Sequence, residues 1–246
     1  MIDLFTYWEG PRPRYIEDCL RSIRRSVHGS RVQFHNVTPD SVATYVSPGV
    51  LHENYQKLTE PAHRSDCIRA ALLAEHGGFY FDADTVGLRS PEEVASNHDL
   101  VYCMWTNMPR RVLNGYIYAQ PGSELARQWL ASINEQLGRM DDPQAEAPWT
   151  AFGERILTPL VDAYPTKTRR VSRAVFLPVE VDREVERFFQ PGDPKRFIQP
   201  DSVCFGLNHS WMWKNQREAM EMSRMDMSTS PLLIHRVLTH CTACKP

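Results

Sequence analysis

Residues 66–84 read DCIRAALLAEHGGFYFDAD, and this stretch constrains the architecture more than any other. Cys67, Ile68, Ala71 and Leu72 recur at helical spacing and share one face, which predicts an amphipathic helix over 62–76. Gly77-Gly78 follows, with Gly77 placed to take the left-handed conformation that stops a helix. Residues 79–83 then read as a short apolar strand ending in Asp82 and Asp84. Alternate residues of a strand point to one face. Strand ends are also where α/β proteins place their ligand chemistry. Two carboxylates on one face there form a hard-oxygen pair suited to a divalent cation held against phosphate.

The rest of the chain supports an α/β fold. A strand is predicted at 2–8, ending at Glu9-Gly10-Pro11. Pro13 opens a helix to about 27, with Tyr15, Ile16, Cys19, Leu20 and Ile23 at helical spacing. A strand at 32–37 and a short helix at 40–46 complete a β-α-β-α opening, which points to a mostly parallel sheet flanked by helices. Residues 47–61 are irregular. Strands follow at 100–105 and 114–119, then helices at 123–137 and 150–162, the second carrying Pro159 as a potential break. A strand at 171–177, a Pro/Gly loop at 191–200, a last strand at 203–207 and a Met-rich helix from 214 close the chain. No internal repeat and no linker is visible, so 1–246 is expected to be one domain.

The formal net charge of −2 in 246 residues gives no general affinity for nucleic acid. The basic runs at 21–25 and 167–173 read as solvated faces. No apolar run approaches the roughly 20 residues that span a bilayer. The N-terminal MIDLFTYWEG lacks the basic start and long apolar stretch of a signal peptide. The expected location is cytoplasmic, with peripheral membrane association left open. Cys19, Cys67, Cys103 and Cys204 lie in apolar segments, as reduced core cysteines do. Cys241 and Cys244 form a lone C-x-x-C with His235 and His240 upstream, a weak zinc signal without a second pair.

Three readings compete for the aspartate pair. Acidic residues at a strand end cap the following turn, but two carboxylates on one face repel unless a cation or donors lie between them. Asp82-Ala83-Asp84-Thr85-Val86 also fits the D-x-D-x-[TV] signature of haloacid-dehalogenase-like phosphatases, with Asp82 as nucleophile and Asp84 as acid/base. That signature normally follows a first strand, whereas here about 80 residues precede it, and the later lysine motif is missing. The third reading uses the whole stretch: D-x-x-R-x(7)-G-G-x-Y-x-D-x-D, built on Asp66, Arg69, Gly77-Gly78, Tyr80, Asp82 and Asp84. This resembles the DXD glycosyltransferases with a sugar-binding region, a group that includes Och-type mannosyltransferases, capsular polysaccharide transferases and clostridial glucosylating toxins.

The resemblance implies a GT-A-type, Rossmann-like nucleotide-sugar fold, with 1–120 as the nucleotide-sugar-binding half and 121–246 as the acceptor-side half and tail. It implies a metal-dependent, retaining transferase that moves a hexose-type sugar from a UDP- or GDP-sugar to a carbohydrate or small-molecule acceptor. Asp84 is expected to bind Mn²⁺ or Mg²⁺ directly, and Asp82 to contact the ribose or reach the metal through water. Asp66 and Arg69 are expected to grip the donor sugar, with Arg69 counted beside the aspartates as catalytic. At i and i+3 they share a helix face; standing alone, such a pair would be an ordinary intrahelical ion pair. Tyr80 is expected to line the nucleotide pocket from the aspartates' face. Trp8 either stacks on the base or packs in the core. In Asn208-His209-Ser210-Trp211, His209 is the expected third metal ligand, with His235 as its rival, and Trp211 a donor to the diphosphate. Asn114 is expected to face the donor sugar. Polysaccharide biosynthesis is the family-level setting. A non-enzymatic rival keeps the fold and binds nucleotide-sugar without turnover.

Overall fold

The structure is a computed structural model and describes residues 1–105, 111–179, 185–221 and 224–243. The strands are β1 (Ile2–Tyr7), β2 (Val32–Val37), β3 (Gly78–Phe81), β4 (Thr85–Gly87), β5 (Leu100–Met104), β6 (Val112–Ala119), β7 (Thr168–Arg170) and β8 (Cys204–Gly206). The helices, in chain order, are α1 (Arg14–Ser26), α2 (Val42–Tyr45), α3 (Pro61–His76), α4 (Glu124–Arg139), α5 (Pro143–Glu146), α6 (Glu154–Ala163), α7 (His209–Asn215), α8 (Arg217–Met220), α9 (Arg224–Thr229) and α10 (Leu233–Ala243). The chain divides into two compact units, one from residues 1–9, 35–81 and 93–171, the other from 10–34, 82–92 and 172–246.

Six strands form one sheet in the order β2-β1-β3-β6-β5-β7. β1 and β3 pair in parallel, as do β5 and β7, while β6 runs antiparallel to both β3 and β5. So β1, β3, β5 and β7 share one direction and β6 alone among these opposes it, which is the mostly parallel sheet expected. The register sets Phe5 against Tyr80 and Phe81 against Tyr116.

In the first unit, α3 packs against β1, β3, β6 and α4. Its burial exceeds the one-sided pattern expected of an amphipathic helix: every residue from 67 to 74 is buried. The physical reason is the small-residue run Ala70-Ala71 beside Leu72-Leu73, which lets neighbours approach from the sheet side and the helix side together. Phe5, Ile68, Leu72, Tyr80, Ile117, Trp129 and Phe152 share this core. Truncating a side chain such as Leu72 to alanine removes about 2–5 kcal/mol.

The glycine pair ends α3 by close approach as much as by its dihedrals. Gly77 has φ 71° and ψ −154°, so its φ is positive as expected but its ψ is extended rather than left-handed helical. A Cβ on Gly77 would stand 2.6 Å from the Pro121 backbone, and one on Gly78 (φ 84°) 2.3 Å from the Asp3 carbonyl oxygen. No side chain fits at either position.

The second unit pairs β4 with β8 antiparallel, Thr85 opposite Gly206 and Gly87 opposite Cys204. Helix α1 lies close on β4: the Gly87 amide donates to Ser22 Oγ at 2.8 Å, and a Cβ at Gly87 would be 2.7 Å from Ile23 Cα. Cys19, Cys67, Cys103 and Cys204 are buried and in no disulfide. Among the described residues no helix is long and apolar enough to cross a membrane.

Two expectations fail locally. Residues 171–177 are not a strand; β7 occupies 168–170, and Ser172 caps a 3₁₀ turn over Arg173–Val175. The cap hydrogen bond to the Ala174 amide, at 3.3 Å, offers the backbone a partner that a strand would have to find elsewhere. Proline 159 sits inside α6 without ending it.

Candidate active site

The strand predicted over 79–83 stops at Phe81, so Asp82, Ala83 and Asp84 lie in a turn before β4. The alternation that would set both carboxylates on one strand face therefore does not operate. Asp84 is placed by what it bonds to.

Asp66, Arg69, Asn114 and Tyr80 come together in the first unit. Helix α3 presents Ser65, Asp66 and Arg69; β6 presents Asn114; β3 presents Tyr80. Arg69 Nη1 donates to Asp66 Oδ1 at 2.7 Å, and Asn114 Nδ2 donates to the same oxygen at 2.8 Å. The Arg69 guanidinium lies 4.4 Å over the Tyr80 ring, and the Tyr80 hydroxyl meets Ser65 Oγ at 3.0 Å; Tyr80 is fully buried, so it packs under Arg69 and, against expectation, does not line an open nucleotide pocket. The two charged side chains are 5% and 13% exposed. That burial separates this pair from a surface ion pair, whose worth is about 0–1 kcal/mol. A buried pair costs several kcal/mol to desolvate, and breaking it leaves an uncompensated charge. Apolar side chains would have filled the space at no such cost.

In the second unit, Asp84 is buried and Asp82 partly exposed. Asn208, at φ 59°, is the one non-glycine residue with positive φ among those described; asparagine tolerates that conformation better than most residues. It turns the chain into α7 so that the His209 amide donates to Asp84 Oδ2. Leu207 N donates to the Asp84 carbonyl at 3.1 Å. The bond to the Asp84 carboxylate thus comes from the first turn of a helix distant in sequence, not from the turn that follows it. His209 Nδ1 is hydrogen-bonded to the hydroxyl of buried Tyr15 on α1. Burial lowers the His209 pKa, favouring the neutral ring. Burial, and then the Asp84 charge, raise that of Tyr15 well above its ordinary value. When Nδ1 carries the ring proton and donates to Tyr15, Nε2 is the nitrogen suited to a metal.

His235, the rival, is fully buried on α10 and bonded through Nδ1 to Ser230 Oγ at 2.7 Å. Trp8 follows β1 with its amide bonded to the Val37 carbonyl and its side chain partly exposed, outside the buried core. The side chains of Trp211 and Cys241, and Cys244 as a whole, lie outside the described residues, as do 106–110.

The donor set fits a divalent cation of a particular kind. Among the described residues no three His, Cys, Asp or Glu side chains converge on one point. Mg²⁺-type ions are commonly held by one or two carboxylates and complete their shell with substrate phosphates and water. By chemistry the Asp82 and Asp84 carboxylates suit such an ion without a third protein ligand.

Sequence reasoning passed over two residues that the structure brings to these clusters. Tyr15 had appeared only as a core position of α1, and its apolar spacing carried no other signal. Gly153 had no signal at all; a Cβ there would stand 2.2 Å from Asn114 Nδ2 and 2.8 Å from Asp66 Oδ2.

Residues 16–101 match the family model described as the glycosyltransferase sugar-binding region containing DXD motif. The fold is similar to the glycosyltransferase GlyE of Streptococcus pneumoniae TIGR4, at 11% identity and TM-score 0.55, covering 99% of this chain and 60% of that one. It is also similar to a glycosyltransferase involved in the glycosylation of the major capsid of PBCV-1, at 12% identity and TM-score 0.52, covering 90% and 99% of the two chains. At these identities the likeness is one of fold, an α/β fold with a mostly parallel sheet as expected. No curated protein matches the sequence. The phosphatase reading is not favoured: the aspartates follow the third strand, and the family match takes the whole stretch around them.

Proposed function

We propose that this chain, whose residues 16–101 match the glycosyltransferase sugar-binding region containing DXD motif, is a glycosyltransferase that transfers a hexose-type sugar from a nucleoside-diphosphate sugar to an acceptor hydroxyl, with a divalent cation and retention of anomeric configuration. The observation that carries this reading is the Asp66–Arg69–Asn114 cluster on α3 and β6, with Arg69 buried and its two partners partly exposed. A carboxylate fixed by two donors, beside a guanidinium, offers acceptors and donors in the fixed geometry that sugar hydroxyls require.

Asp66 accepts from hydroxyls of the donor sugar, and Arg69 donates to hydroxyl or phosphate oxygens. Asp84, with Asp82 directly or through water, holds Mn²⁺ or Mg²⁺. The cation stabilises the charge that develops on the diphosphate as the sugar–phosphate bond breaks. His209, steadied by Tyr15, stands ready as a further ligand. Trp8 offers a partly exposed indole for the base, Tyr80 supports Arg69 from below, and Trp211 donates to the diphosphate. No side chain stands out as a base, so positioning of the reactants carries much of the rate. The acceptor is a carbohydrate or a small molecule, and polysaccharide assembly is the setting that fits the family.

The test is incubation with UDP- and GDP-sugars and Mn²⁺, with detection of free nucleoside diphosphate. Release that stops with EDTA and in Asp84→Ala supports the reading, and the anomer of the product reports retention. Phosphate release from generic phosphomonoesters without donor turnover would overturn it. Donor binding without turnover across a panel of saccharide acceptors would favour a binding protein. Mn²⁺ titrations of His209→Ala and His235→Ala decide between the two histidines.

A further inference from the structure

Residues 148–153 join α5 to α6 and are fastened to their unit at several points. Ala151 N donates to the Pro148 carbonyl at 2.8 Å. His63 Nε2 donates to the same carbonyl at 3.1 Å, and its ring meets Phe152 edge-on at 5.5 Å. Trp129 Nε1 donates to the Phe152 carbonyl at 2.7 Å. Ala151 and Phe152 are buried. The backbone that arrives at Gly153 is therefore held, and it arrives against Asp66 and Asn114.

Gly153 is also the residue before the first turn of α6, and no side chain caps that helix. Serine, aspartate or asparagine serves such a position better, because its side chain accepts from the exposed amides. Glycine is tolerated there at a cost of only about a few tenths of a kcal/mol, so the cap position alone does not select it. The stronger demand is steric: a Cβ would stand 2.2 Å from Asn114 Nδ2 and 2.8 Å from Asp66 Oδ2, closer than real Cβ atoms come. Asn114 Nδ2 is one of the two donors on Asp66 Oδ1.

We propose that Gly153 is a positioning residue for donor-sugar binding: its missing side chain leaves the space in which the Asn114 amide holds the Asp66 carboxylate. The proposal rests on the reading that Asp66 binds the donor sugar. A methyl at 153 would push the amide away and release the carboxylate from one of its donors. That loss weakens donor binding, and, because the sugar is held in ground and transition states alike, it raises KM more than it lowers kcat.

The experiment compares Gly153→Ala, Asn114→Ala and the double variant, by donor affinity in Mn²⁺, by KM and kcat, and by the side-chain amide resonances of Asn114, assigned through their loss in Asn114→Ala. Gly153→Ala is expected to weaken donor binding by about 10- to 100-fold, the worth of one hydrogen bond to a charged group. Added to Asn114→Ala it is expected to change affinity by less than about twofold, because both act through one bond. If Gly153→Ala alone fails to fold, a folded double variant with the affinity of Asn114→Ala supports the proposal in the same way. Multiplying losses, or a drop in thermal stability with affinity unchanged, overturn it. Should the wild-type protein bind no nucleotide-sugar, the functional reading fails first. The Asn114 amide then still decides the positioning claim: shifted resonances in Gly153→Ala uphold it, and unmoved ones sink it.

Discussion

The two halves of the motif are secured in opposite ways. Asp66 and Arg69 sit on a buried helix and are locked by side chains: one carboxylate oxygen takes two donors, and the guanidinium rests on an aromatic ring. Asp82 and Asp84 sit in a turn, and Asp84 is secured by a backbone amide from a short helix. The first arrangement is rigid before any ligand arrives. The second holds its carboxylates on a turn between two strands, with Asp84 fixed by backbone amides. Sugar recognition should therefore be inseparable from folding stability, and metal chemistry separable from it.

The largest effect expected tests that inseparability. Arg69→Ala leaves the Asp66 carboxylate without its cation in a mostly buried place and should cost about 3–5 kcal/mol of stability, measured by denaturant unfolding. Arg69→Lys should restore little, because an ammonium lacks the fork and the flat face that lies on Tyr80. A stable Arg69→Ala protein that has merely lost activity would break the contrast. Next, Asp84→Ala should lower kcat by about 10²–10³-fold, the scale for losing one charge-stabilising group, and abolish Mn²⁺ binding. Its stability loss should stay near 1 kcal/mol, that of a lost helix cap. Unfolding in step with Arg69→Ala would show that both halves are structural.

Tyr80→Phe removes the hydroxyl that meets Ser65 and keeps the ring under Arg69. It should cost about 1 kcal/mol and leave donor affinity nearly intact, which sharpens the view that the ring, rather than the hydroxyl, supports the guanidinium. The smallest effect is one of pH. Burial, and then the hydrogen bond to Glu9, raise the Tyr7 pKa well above its ordinary value. Ionised tyrosine is then favoured in the unfolded chain first, so the stability it contributes is full below pH about 10 and is lost as pH rises beyond. Alkaline unfolding curves of Tyr7→Phe should show a shallower loss than wild type.

How much of this was legible in the sequence follows the range of the interactions involved. The helix ending at His76, the glycine pair and the strand behind it were visible because periodicity and glycine chemistry are local. The end of β3 was not: nothing in FYFDAD says that hydrogen bonding stops at Phe81 and resumes in another sheet at Thr85. The pairing of Asp66 with Arg69 was visible at i and i+3, yet its burial was not, since that depends on β3, β6 and α4. The bond between His209 and Asp84 joins residues 125 apart, and Gly153 acquires its meaning only from side chains that reach it across the fold. Local order was readable, and the partners brought by tertiary packing were hidden.

The division into two units has a practical consequence. The chain passes from one to the other at 9/10, 34/35, 81/82, 92/93 and 171/172. No single cut yields either unit as a continuous piece, and the third passage falls immediately before Asp82. Recombining this chain with a relative by joining an N-terminal part of one to a C-terminal part of the other would split at least one unit between the two parents wherever the junction lay. Exchange of specificity would instead have to proceed loop by loop, with every passage point left in its native pairing.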